Sequence, residues 1–464
     1  MEATSEYVWS PPVYYTGKEP RLMRSLNLSP DPLFPENFVR LVKWSPDGSV
    51  ALAQCENRTL QIFDPESSVE MSTTEPHSLT EPPVSLSTNA RIFNQPAPIL
   101  DFVWYPTASP QNPASFCFIA SVRECPVKLL DASDGRLRAS YRIVDHRERQ
   151  IAPHSLAFNL TGERLYCGFE DAVEVFDVSR PGEGKRLHTT PSKKSKDGLK
   201  GIISALAFSP SYSEGESFYA AGSLSPTPNN IALFSDSQSE IPIMFLGGGP
   251  RAGVTQVQFN PSRPHILYAA YRGRGSGTIY SWDVRANLGS PVEVFCQNSA
   301  AALDASERKV NNQKMRFDVD VLGRYLGVGD PEGNVSIFDL GSSERAVDDT
   351  VVEGQHSFLE CDTQINRPVL EFIAHEDAVG SITFNPLRPV ALSASGARHF
   401  KDVVETDSSN EEDDEVNDLI LRRSAPAFSE PNGRKKHSQP VTFDSSIKLW
   451  DFSRAAESEM GVCR

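Results

Sequence analysis

The residues of this chain that could take part in chemistry are its arginines and lysines. None of the nine histidines falls in a metal-ligand spacing, and the nearest cysteines, Cys117 and Cys125, are too far apart for a zinc half-site. No glycine-rich phosphate loop opens a helix, and no nucleophile-elbow pentapeptide occurs. Arginine, by contrast, can donate paired hydrogen bonds to a phosphate or stack on an unpaired base. The sequence therefore predicts no enzyme, no cofactor, no metal site and no small-molecule substrate, and it favours the binding of phosphate groups.

Seven strand-like segments must position these cations, and each ends in an aromatic or aliphatic residue followed by Asp or Ser. They are IFD (62–64), LLD (129–131), VFD (175–177), LFS (233–235), SWD (281–283), IFD (337–339) and LWD (449–451). Most are preceded by an apolar segment that ends in a Pro or Gly turn, such as VKWSPDG (42–48). Repeats on this scale predict a propeller, because one four-stranded blade cannot bury both of its faces alone.

The predicted fold class is therefore all-β, a single seven-bladed WD-repeat propeller over residues 39–452. Its predicted blades are 39–93, 99–141, 153–189, 201–245, 253–295, 313–373 and 378–452. This gives about 59 residues per blade, whereas such a blade needs only ~40–45. The surplus is assigned to insertions rich in Ser, Pro, Asp, Glu and Asn, which we expect to be disordered. These insertions are 65–83, 297–312, 341–366 and 398–444.

Residues 1–38 are interpreted as an N-terminal arm and 453–464 as a tail. The last repeat has only one strand after its insertion, so its outermost strand is missing from the C-terminal end. We expect Arg21–Leu28 to fill this place and close the ring, which would remove an exposed sheet edge. A disordered arm is the alternative.

The composition is typical of a soluble intracellular protein. The N-terminus has no apolar run, no stretch of ~18 apolar residues occurs, and the seven cysteines fall mostly in predicted strands as reduced thiols. The net charge is −16, but residues 402–418 hold nine acidic residues and no basic one, and without them the charge would be −7. His375 is predicted to form hydrogen bonds within its blade. Four tryptophans are predicted to pack between blades: Trp44, Trp104, Trp282 and Trp450.

Several segments resemble, in order and spacing, the telomerase Cajal-body WD-repeat family. They are FPENFVRLVKWSPDGS (34–49), SVRECPVKLLDASDGRLRASY (121–141), PHSLAFNLTGERLYCGF (153–169), GIISALAFSP (201–210) and NQKMRFDVDVLGRYL (312–326). The resemblance covers about residues 39–400, and a fungal-type member fits it. It departs at FLGGGPRAGV (245–254), where Gly249 and Pro250 stand in place of the family's usual Gly-His.

The resemblance implies a non-catalytic RNA-binding scaffold. Animal members of the family bind small Cajal-body RNAs and telomerase RNA and bring them to that nuclear body, and fungal relatives are tied to splicing. The implied partners are small nuclear or Cajal-body RNAs and their RNP proteins, with telomerase RNA as one candidate, and a role in RNP assembly or localisation. The implied location is the nucleus, in the Cajal body or its equivalent, with some cytoplasmic protein and no membrane association.

The distribution of charge among the predicted loops gives an independent indication. In WD-repeat propellers, the loops from the second to the third strand and from one blade to the next share one face, here the top face. The remaining loops share the bottom face. In blades one to five the top loops hold thirteen basic and nine acidic residues, a net of +4, and the bottom loops hold seven and twelve, a net of −5. A phosphate backbone would favour the top face.

Eight of these top-face cations are the predicted RNA-binding residues. They are Arg58, Arg123, Arg147, Arg149, Lys200, Arg251, Arg272 and Arg274. Arg123 and Arg272 lie in loops near the central channel. The alternative for each arginine is an ion pair with an acidic residue of a neighbouring blade.

The insertion in blade seven carries two further predictions. Its acidic run, 402–418, would leave the propeller on the top face and compete with RNA, and phosphorylation would add ~1.5–2 negative charges per site. The candidate phosphorylation sites are Ser408 and Ser409, each with Glu three residues later. Two basic clusters have the spacing of a bipartite nuclear import signal that an import receptor would bind: Arg422 and Arg423, then Arg434, Lys435 and Lys436. The alternatives are a solvated spacer and local counter-charge.

Two other functions remain open. WDVR (282–285) resembles the Trp-Asp-x-Arg motif of substrate receptors for cullin-type ubiquitin ligases, although Arg285 equally suits a salt bridge. A protein-interaction propeller in pre-mRNA splicing, without direct RNA contact, is the other possibility.

Overall fold

The computed structural model describes residues 10–66, 84–85, 90–192, 194–195, 197–211, 217–237, 240–273, 277–286, 288–297, 313–341, 363–400 and 440–454. Within these ranges the chain forms strands in seven sheets and no helix. The described residues therefore include no helix that could cross a membrane. The sheets are the blades of a propeller, which confirms the predicted fold class.

Each blade has an inner strand beside the central channel and three more strands outside it. The inner strands are β2 (Val39–Trp44), β7 (Ile99–Trp104), β11 (Ser155–Phe158), β15 (Ile203–Phe208), β19 (Val254–Phe259), β23 (Asp318–Val319) and β28 (Val379–Phe384). The second strands are β3 (Ala51–Cys55), β8 (Cys117–Val122), β12 (Arg164–Phe169), β16 (Phe218–Ser223), β20 (Ile266–Tyr271), β24 (Tyr325–Gly329) and β29 (Val390–Ser395).

The third and outer strands complete the blades. The third strands are β4 (Thr59–Phe63), β9 (Val127–Asp131), β13 (Ala172–Asp177), β17 (Ile231–Ser235), β21 (Ile279–Asp283), β25 (Asn334–Asp339) and β30 (Ser446–Asp451). The outer strands are β6 (Arg91–Asn94), β10 (Leu137–Tyr141), β14 (Lys185–His188), β18 (Met244–Leu246), β22 (Glu293–Phe295), β27 (Leu370–Ile373) and, from the N-terminal arm, β1 (Arg21–Asn27).

Strand β1 gives blade seven its outer strand. It pairs antiparallel with β30, from Arg21 opposite Asp451 to Asn27 opposite Ser446. Leu26 is 5% exposed and packs in one apolar cluster with residues of blades one and seven. Strand β1 of the N-terminal arm and strand β30 of blade seven therefore stabilise one another in the same sheet.

Two short strands extend the blades beyond this plan. Strand β5 (Val84–Ser85) pairs parallel with β1, and β26 (Gln364–Asn366) pairs parallel with β22. Residues 364–366 belong to the insertion predicted over 341–366, so the expectation of disorder is wrong for them. An outer strand presents unpaired N–H and C=O groups, and a passing segment can satisfy these. Most of the predicted insertions lie outside the described residues.

The predicted core residues are buried. Trp44, Trp104, Trp282 and Trp450 are 1–6% exposed, as predicted. His375 lies 2.7 Å (Nε2) from Ser393 Oγ and 3.1 Å (Nδ1) from Asp444 Oδ2, and Ser393 Oγ also accepts a hydrogen bond from Trp450 Nε1. This network confirms the structural role predicted for His375.

The cysteines of the predicted strands are free thiols. Cys55, Cys117 and Cys167 are buried, and Cys296 is half-buried. Burial raises the pKa of Cys55 to about 12 and that of Cys117 to about 11. The described core thiols are therefore protonated at neutral pH and weak nucleophiles.

Candidate nucleic-acid interface

The inner strands begin at the top face, and most of them begin with a bulge. In blades one, two, four, five and seven the pairing register shifts at the second residue of the inner strand. A bulge bends a strand and can redirect a side chain. Arg40 occupies the bulge position in β2 and is exposed, whereas Val39 and Leu41 on either side of it are buried. A charged side chain is thereby placed at the entrance of the channel.

Seven basic side chains gather around this entrance, and we call them the mouth cluster. They are Arg40, Arg123, His154, Arg272, Lys314, Arg316 and Arg398. Five of them line one cavity of about 450 Å³, namely Arg40, His154, Lys314, Arg316 and Arg398. The charge of Arg123 acts on His154, and that of Arg272 acts on Lys314, which places both beside the same cavity.

The pKa values in the mouth cluster show how concentrated its positive charge is. Burial and the neighbouring charge of Arg316 lower the pKa of Lys314 to about 8, and Arg40 and Arg272 contribute to the same shift. Burial, Lys314 and Arg123 lower the pKa of His154 below its ordinary 6.5. His154 is therefore neutral at pH 7 and accommodates the surrounding cations without adding to their charge.

Three carboxylates partly offset these cations. Glu56 is only 5% exposed and forms salt bridges with both Arg40 and Arg398. Asp101 accepts a hydrogen bond from the backbone N–H of Leu156 at 2.9 Å. The charge of Glu36 also acts on Arg398. With His154 neutral, six cationic side chains therefore face three anionic ones at the mouth.

The structure brings two of the eight predicted RNA-binding residues into the mouth cluster and places five others on the surrounding rim. Arg123 and Arg272 are exposed at the mouth. Among the described residues, neither they nor Arg147, Lys200 and Arg251 form an ion pair. Arg149 pairs with Asp145 at 3.1 Å, and Arg58 lies over the ring of Phe34 at 5.5 Å.

The remaining predicted residues lie outside the described residues. They are Arg274, the phosphorylation sites Ser408 and Ser409, the acidic run 402–418, and the import clusters Arg422, Arg423, Arg434, Lys435 and Lys436. Their predicted roles stay predictions.

Four cationic members of the mouth cluster were missed by the sequence analysis, namely Arg40, Lys314, Arg316 and Arg398, and so was the neutral His154. The count of charges covered only the loops of blades one to five, whereas Arg40 is within an inner strand and the other three belong to blades six and seven. Aligning the repeats by their inner strands would have shown Arg40 and Arg316 near the top end of β2 and β23. The convergence of five blades on one cavity could not be found in this way, since it depends on the closed ring.

On the bottom face, unlike the top face, arginines form ion pairs in a regular pattern. In every blade, an acidic side chain at or just after the end of the third strand pairs with an arginine. The pairs are Glu66–Arg388, Asp131–Arg138, Asp177–Arg180, Asp236–Arg164, Asp283–Arg285, Asp339–Arg324 and Asp451–Arg21. The recurring Asp of the repeat thus acts as a counter-ion. Arg285 of the WDVR motif belongs to this series, with its Nη2 2.9 Å from Asp283 Oδ2.

Among the described residues, no group of three or more His, Cys, Asp or Glu side chains is placed to hold a metal ion.

Comparison with known proteins identifies similar chains in animals and in a fungus. The chain is 31% identical to Telomerase Cajal body protein 1 of Bos taurus over 390 residues, which are 84% of this chain and 63% of the bovine protein. It is 25% identical to the Telomerase Cajal body protein 1 homolog of Drosophila melanogaster over 89% of this chain and 66% of the insect protein. It is 26% identical to Guanine nucleotide-binding protein negative regulator 1 of Schizosaccharomyces pombe over 73% of this chain and 79% of that protein.

The match to the bovine protein spans less than two thirds of its length. No protein-family model matches the chain.

Proposed function

The chain is homologous to the telomerase Cajal body proteins over 84% of its length, and from this premise we propose that it is a non-catalytic scaffold that binds small nuclear RNA on its top face. The RNA is of the Cajal-body type, with telomerase RNA as one candidate, and the scaffold assists the assembly or localisation of the RNP in the nucleus. Its other partners are the proteins of that RNP and an import receptor.

The observation that carries this proposal is the difference in pairing between the faces. Each of the seven third-strand acids on the bottom face pairs with an arginine, whereas Arg123, Arg251, Arg272 and Lys314 on the top face have no ion-pair partner among the described residues. An unpaired cation can contact a phosphate without first giving up a carboxylate. Each such contact releases counter-ions and strengthens binding to a nucleic acid.

The shape of the top face favours an unpaired RNA segment over a duplex. The cations surround a cavity of about 450 Å³ at the centre of the ring. An unpaired base or the end of an RNA chain can enter a cavity of this size, and an RNA duplex cannot. Sequence-specific RNA recognition mostly uses loops and ends whose bases are unstacked, and arginine planes are common stacking partners for such bases.

Crosslinking of RNA to the full-length protein in cells, followed by sequencing, tests the proposal against its alternative. We expect guide-type or other small nuclear RNAs to be recovered with the wild-type protein and to be strongly reduced with Arg123→Ala combined with Arg272→Ala. The matched control is Arg136→Ala combined with Arg285→Ala, which removes two exposed cations from the bottom face. Recovery of no RNA by any variant would favour a propeller that contacts only proteins.

Salt titration of RNA binding by the purified protein gives the quantitative form of the test. For single-stranded RNA, the logarithm of affinity falls with the logarithm of salt by about 0.7 per phosphate contact. Removal of Arg123 and Arg272 should therefore reduce this slope by about 1.4. An equal reduction with the bottom-face pair would contradict the assignment of the top face.

The acidic run 402–418 completes the proposal as a competitor of RNA. Its deletion should tighten RNA binding and steepen the salt dependence, and phosphorylation of Ser408 and Ser409 should weaken binding. Unchanged affinity after deletion would reject this part alone. Loss of nuclear signal after mutation of both basic clusters, Arg422–Arg423 and Arg434–Lys436, would support their role in import.

A further inference from the structure

The mouth of the channel is a small, prearranged cavity, distinct from the open rim above it. Its lining includes the apolar side chains of Leu41 and Ile99, both at most 6% exposed, beneath the cationic groups. A cavity of about 450 Å³ is within the range of sites for small ligands. The rim residues Arg147 and Arg251 are exposed loop side chains and do not line it.

The chain around Lys314 is fixed by contacts to neighbouring blades. Gln313 donates from Nε2 to Gly396 O at 2.9 Å, and Arg316 donates from Nη1 to Thr255 O at 3.0 Å. The backbone N–H of Arg316 also donates to Gly380 O at 2.9 Å. Blades five and seven therefore hold the segment 313–316 in place, which reduces the entropy that a ligand must overcome on binding.

A close backbone approach positions Arg272 as well. A Cβ added at Gly253 would lie 2.7 Å from the backbone oxygen of Leu224 and 2.8 Å from Arg272 Nε. Glycine at this position therefore lets the start of blade five lie close to both blade four and the Arg272 side chain, whose charge reaches Lys314.

The charge balance indicates which kind of ligand this arrangement favours. Glu56 is shared between Arg40 and Arg398, and no described carboxylate pairs with Lys314. Lys314 faces Arg316, Arg40 and Arg272, and Asp101 is the main opposing charge that acts on it. A compact anion with more than one negative charge would relieve the repulsion. A phosphate monoester carries about −1.5 to −2 at neutral pH, whereas a phosphodiester carries one charge and must continue in two directions.

We propose that the mouth cluster is a site for one phosphate monoester, bound by Lys314, Arg316 and Arg40. Two sources share this chemistry: the terminal phosphate of an RNA, and a free phosphorylated small molecule. For the RNA source, the inference rests on the proposed function and specifies which part of the RNA enters the channel.

Calorimetric titration of the full-length protein with adenosine monophosphate and with adenosine tests the site directly. We expect the monophosphate to bind at least about tenfold more tightly than adenosine, since a charge-assisted contact accounts for the difference. Lys314→Met should remove this preference, and Lys314→Arg should retain it. Lys185→Met, which removes an exposed lysine from the start of β14, is the matched control and should bind like the wild type.

The pH dependence separates a direct role of Lys314 from a structural one. Since the pKa of Lys314 is lowered to about 8, its charge is lost as the pH rises from about 7 to about 9, and affinity for the monophosphate should fall over this interval. In Lys314→Arg the affinity should be flat over the same interval, because a guanidinium stays protonated. A fall of equal size in Lys314→Arg would overturn the role of Lys314.

Short RNAs with a terminal phosphate or a terminal hydroxyl distinguish the two sources. If the phosphate end tightens RNA binding and Lys314→Met removes the gain, the RNA end is a ligand of the mouth. If adenosine monophosphate binds and RNA does not, the mouth takes a small molecule, and the proposed function fails while this inference stands. If RNA binds through Arg123 and Arg272 with no preference for a phosphate end, and the monophosphate does not bind, this inference fails and the proposed function stands.

Discussion

The top and bottom faces of this propeller carry similar side chains and use them in opposite ways. On the bottom face an acid follows the third strand of every blade and pairs with an arginine, in six of the seven blades at 2.7–3.8 Å. On the top face, one carboxylate, Glu56, serves two arginines, and Lys314 has no counter-ion within the described part of the chain. The pairing of charges therefore distinguishes the faces more clearly than their number does.

The difference follows from the repeat itself. The Asp that closes most of the repeats, or an acid one to three residues after the third strand in blades one and four, lies at the bottom end of that strand. The bottom face therefore receives a counter-ion in each blade. The top face receives no such residue from the repeat pattern. Several of its cations, among them Arg123, Arg272 and Lys314, form no ion pair within the described residues and can meet an external anion, and the overall charge of −16 gives no indication of this.

The largest expected effect comes from a substitution that destabilises the whole ring, and with it both faces. Leu26→Asp places a carboxylate in the apolar cluster between blades one and seven, where Leu26 is 5% exposed. Loss of the buried side chain and burial of a charge should cost about 4 kcal/mol or more. We expect a large fall in melting temperature and loss of RNA binding. Leu22→Asp, in the same strand but 45% exposed, is the control and should melt like the wild type.

Removal of the shared carboxylate should sharpen the contrast between the faces. Glu56→Gln leaves Arg40 and Arg398 without their counter-ion, so RNA affinity at low salt should rise roughly three- to tenfold, with a steeper salt dependence. Asp283→Asn, which frees Arg285 on the bottom face, is the matched change and should leave affinity within about twofold. Binding curves measured at several salt concentrations check both variants. Equal gains would show that the faces do not differ in function.

Titratable residues on the two faces should also lose their contributions to the free energy of unfolding at different pH values. Burial lowers the pKa of His375 on the top side, and the nearby Asp444 only partly opposes this shift. The native imidazole therefore stays neutral while the unfolded chain takes up a proton, so the stability it contributes is complete above about pH 6.5 and is lost as the pH falls below that value. The loss can reach about 1.4 kcal/mol per pH unit until the native pKa is reached.

Asp131 on the bottom face shows the opposite window. Its pKa lies below the ordinary value of 3.8, because hydrogen bonds from Ser133 and the charge of Arg138 outweigh burial. Its contribution is therefore present above about pH 4 and lost only below it. Urea unfolding measures the free energy of unfolding at about pH 7.5 and 5.5. In the wild type this free energy should fall between the two pH values. The fall should be smaller in His375→Gln and as large as in the wild type in Asp131→Asn. A fall in His375→Gln as large as that in the wild type would contradict the assignment of the pH dependence to His375.

The fold was open to prediction because it rests on local, repeated information. Segments such as IFD (62–64) and SWD (281–283) recur at intervals that only a ring of blades can satisfy, and Trp282 and Trp450 are buried as their strand positions indicate. The strand at Gln364–Asn366 was not predicted. Its pairing with β22 depends on an exposed edge from a distant part of the chain.

The candidate site was predictable only in part. Arg123 and Arg272 could be placed at the mouth because loops between the second and third strands point there. Glu56 was counted as an ordinary acidic residue, since its partners Arg40 and Arg398 come from blades one and seven and meet only after ring closure. Sequence patterns locate charges on a face, but ion pairing between blades needs the three-dimensional arrangement.

The smallest expected effect separates two arginines that share one bottom-face carboxylate. Asp131 is 2% exposed and pairs with Arg138, which is 20% exposed, and with Arg136, which is 70% exposed. Arg138 also donates to the carbonyl oxygens of Pro113 and Ala114, so its removal breaks several hydrogen bonds at once and takes from the buried Asp131 carboxylate its less exposed partner. Arg138→Ala should therefore cost about 2 kcal/mol, and Arg136→Ala less than about 0.5 kcal/mol.

Chemical denaturation of both variants at neutral pH measures this difference, and RNA binding should be unchanged in each. Equal losses of stability would show that Asp131 is held by charge alone and not by the geometry around Arg138. A loss of RNA binding in either variant, without unfolding, would mean that the paired arginines of the bottom face also reach the ligand. The distinction between paired and unpaired cations, on which the assignment of the top face depends, would then no longer hold.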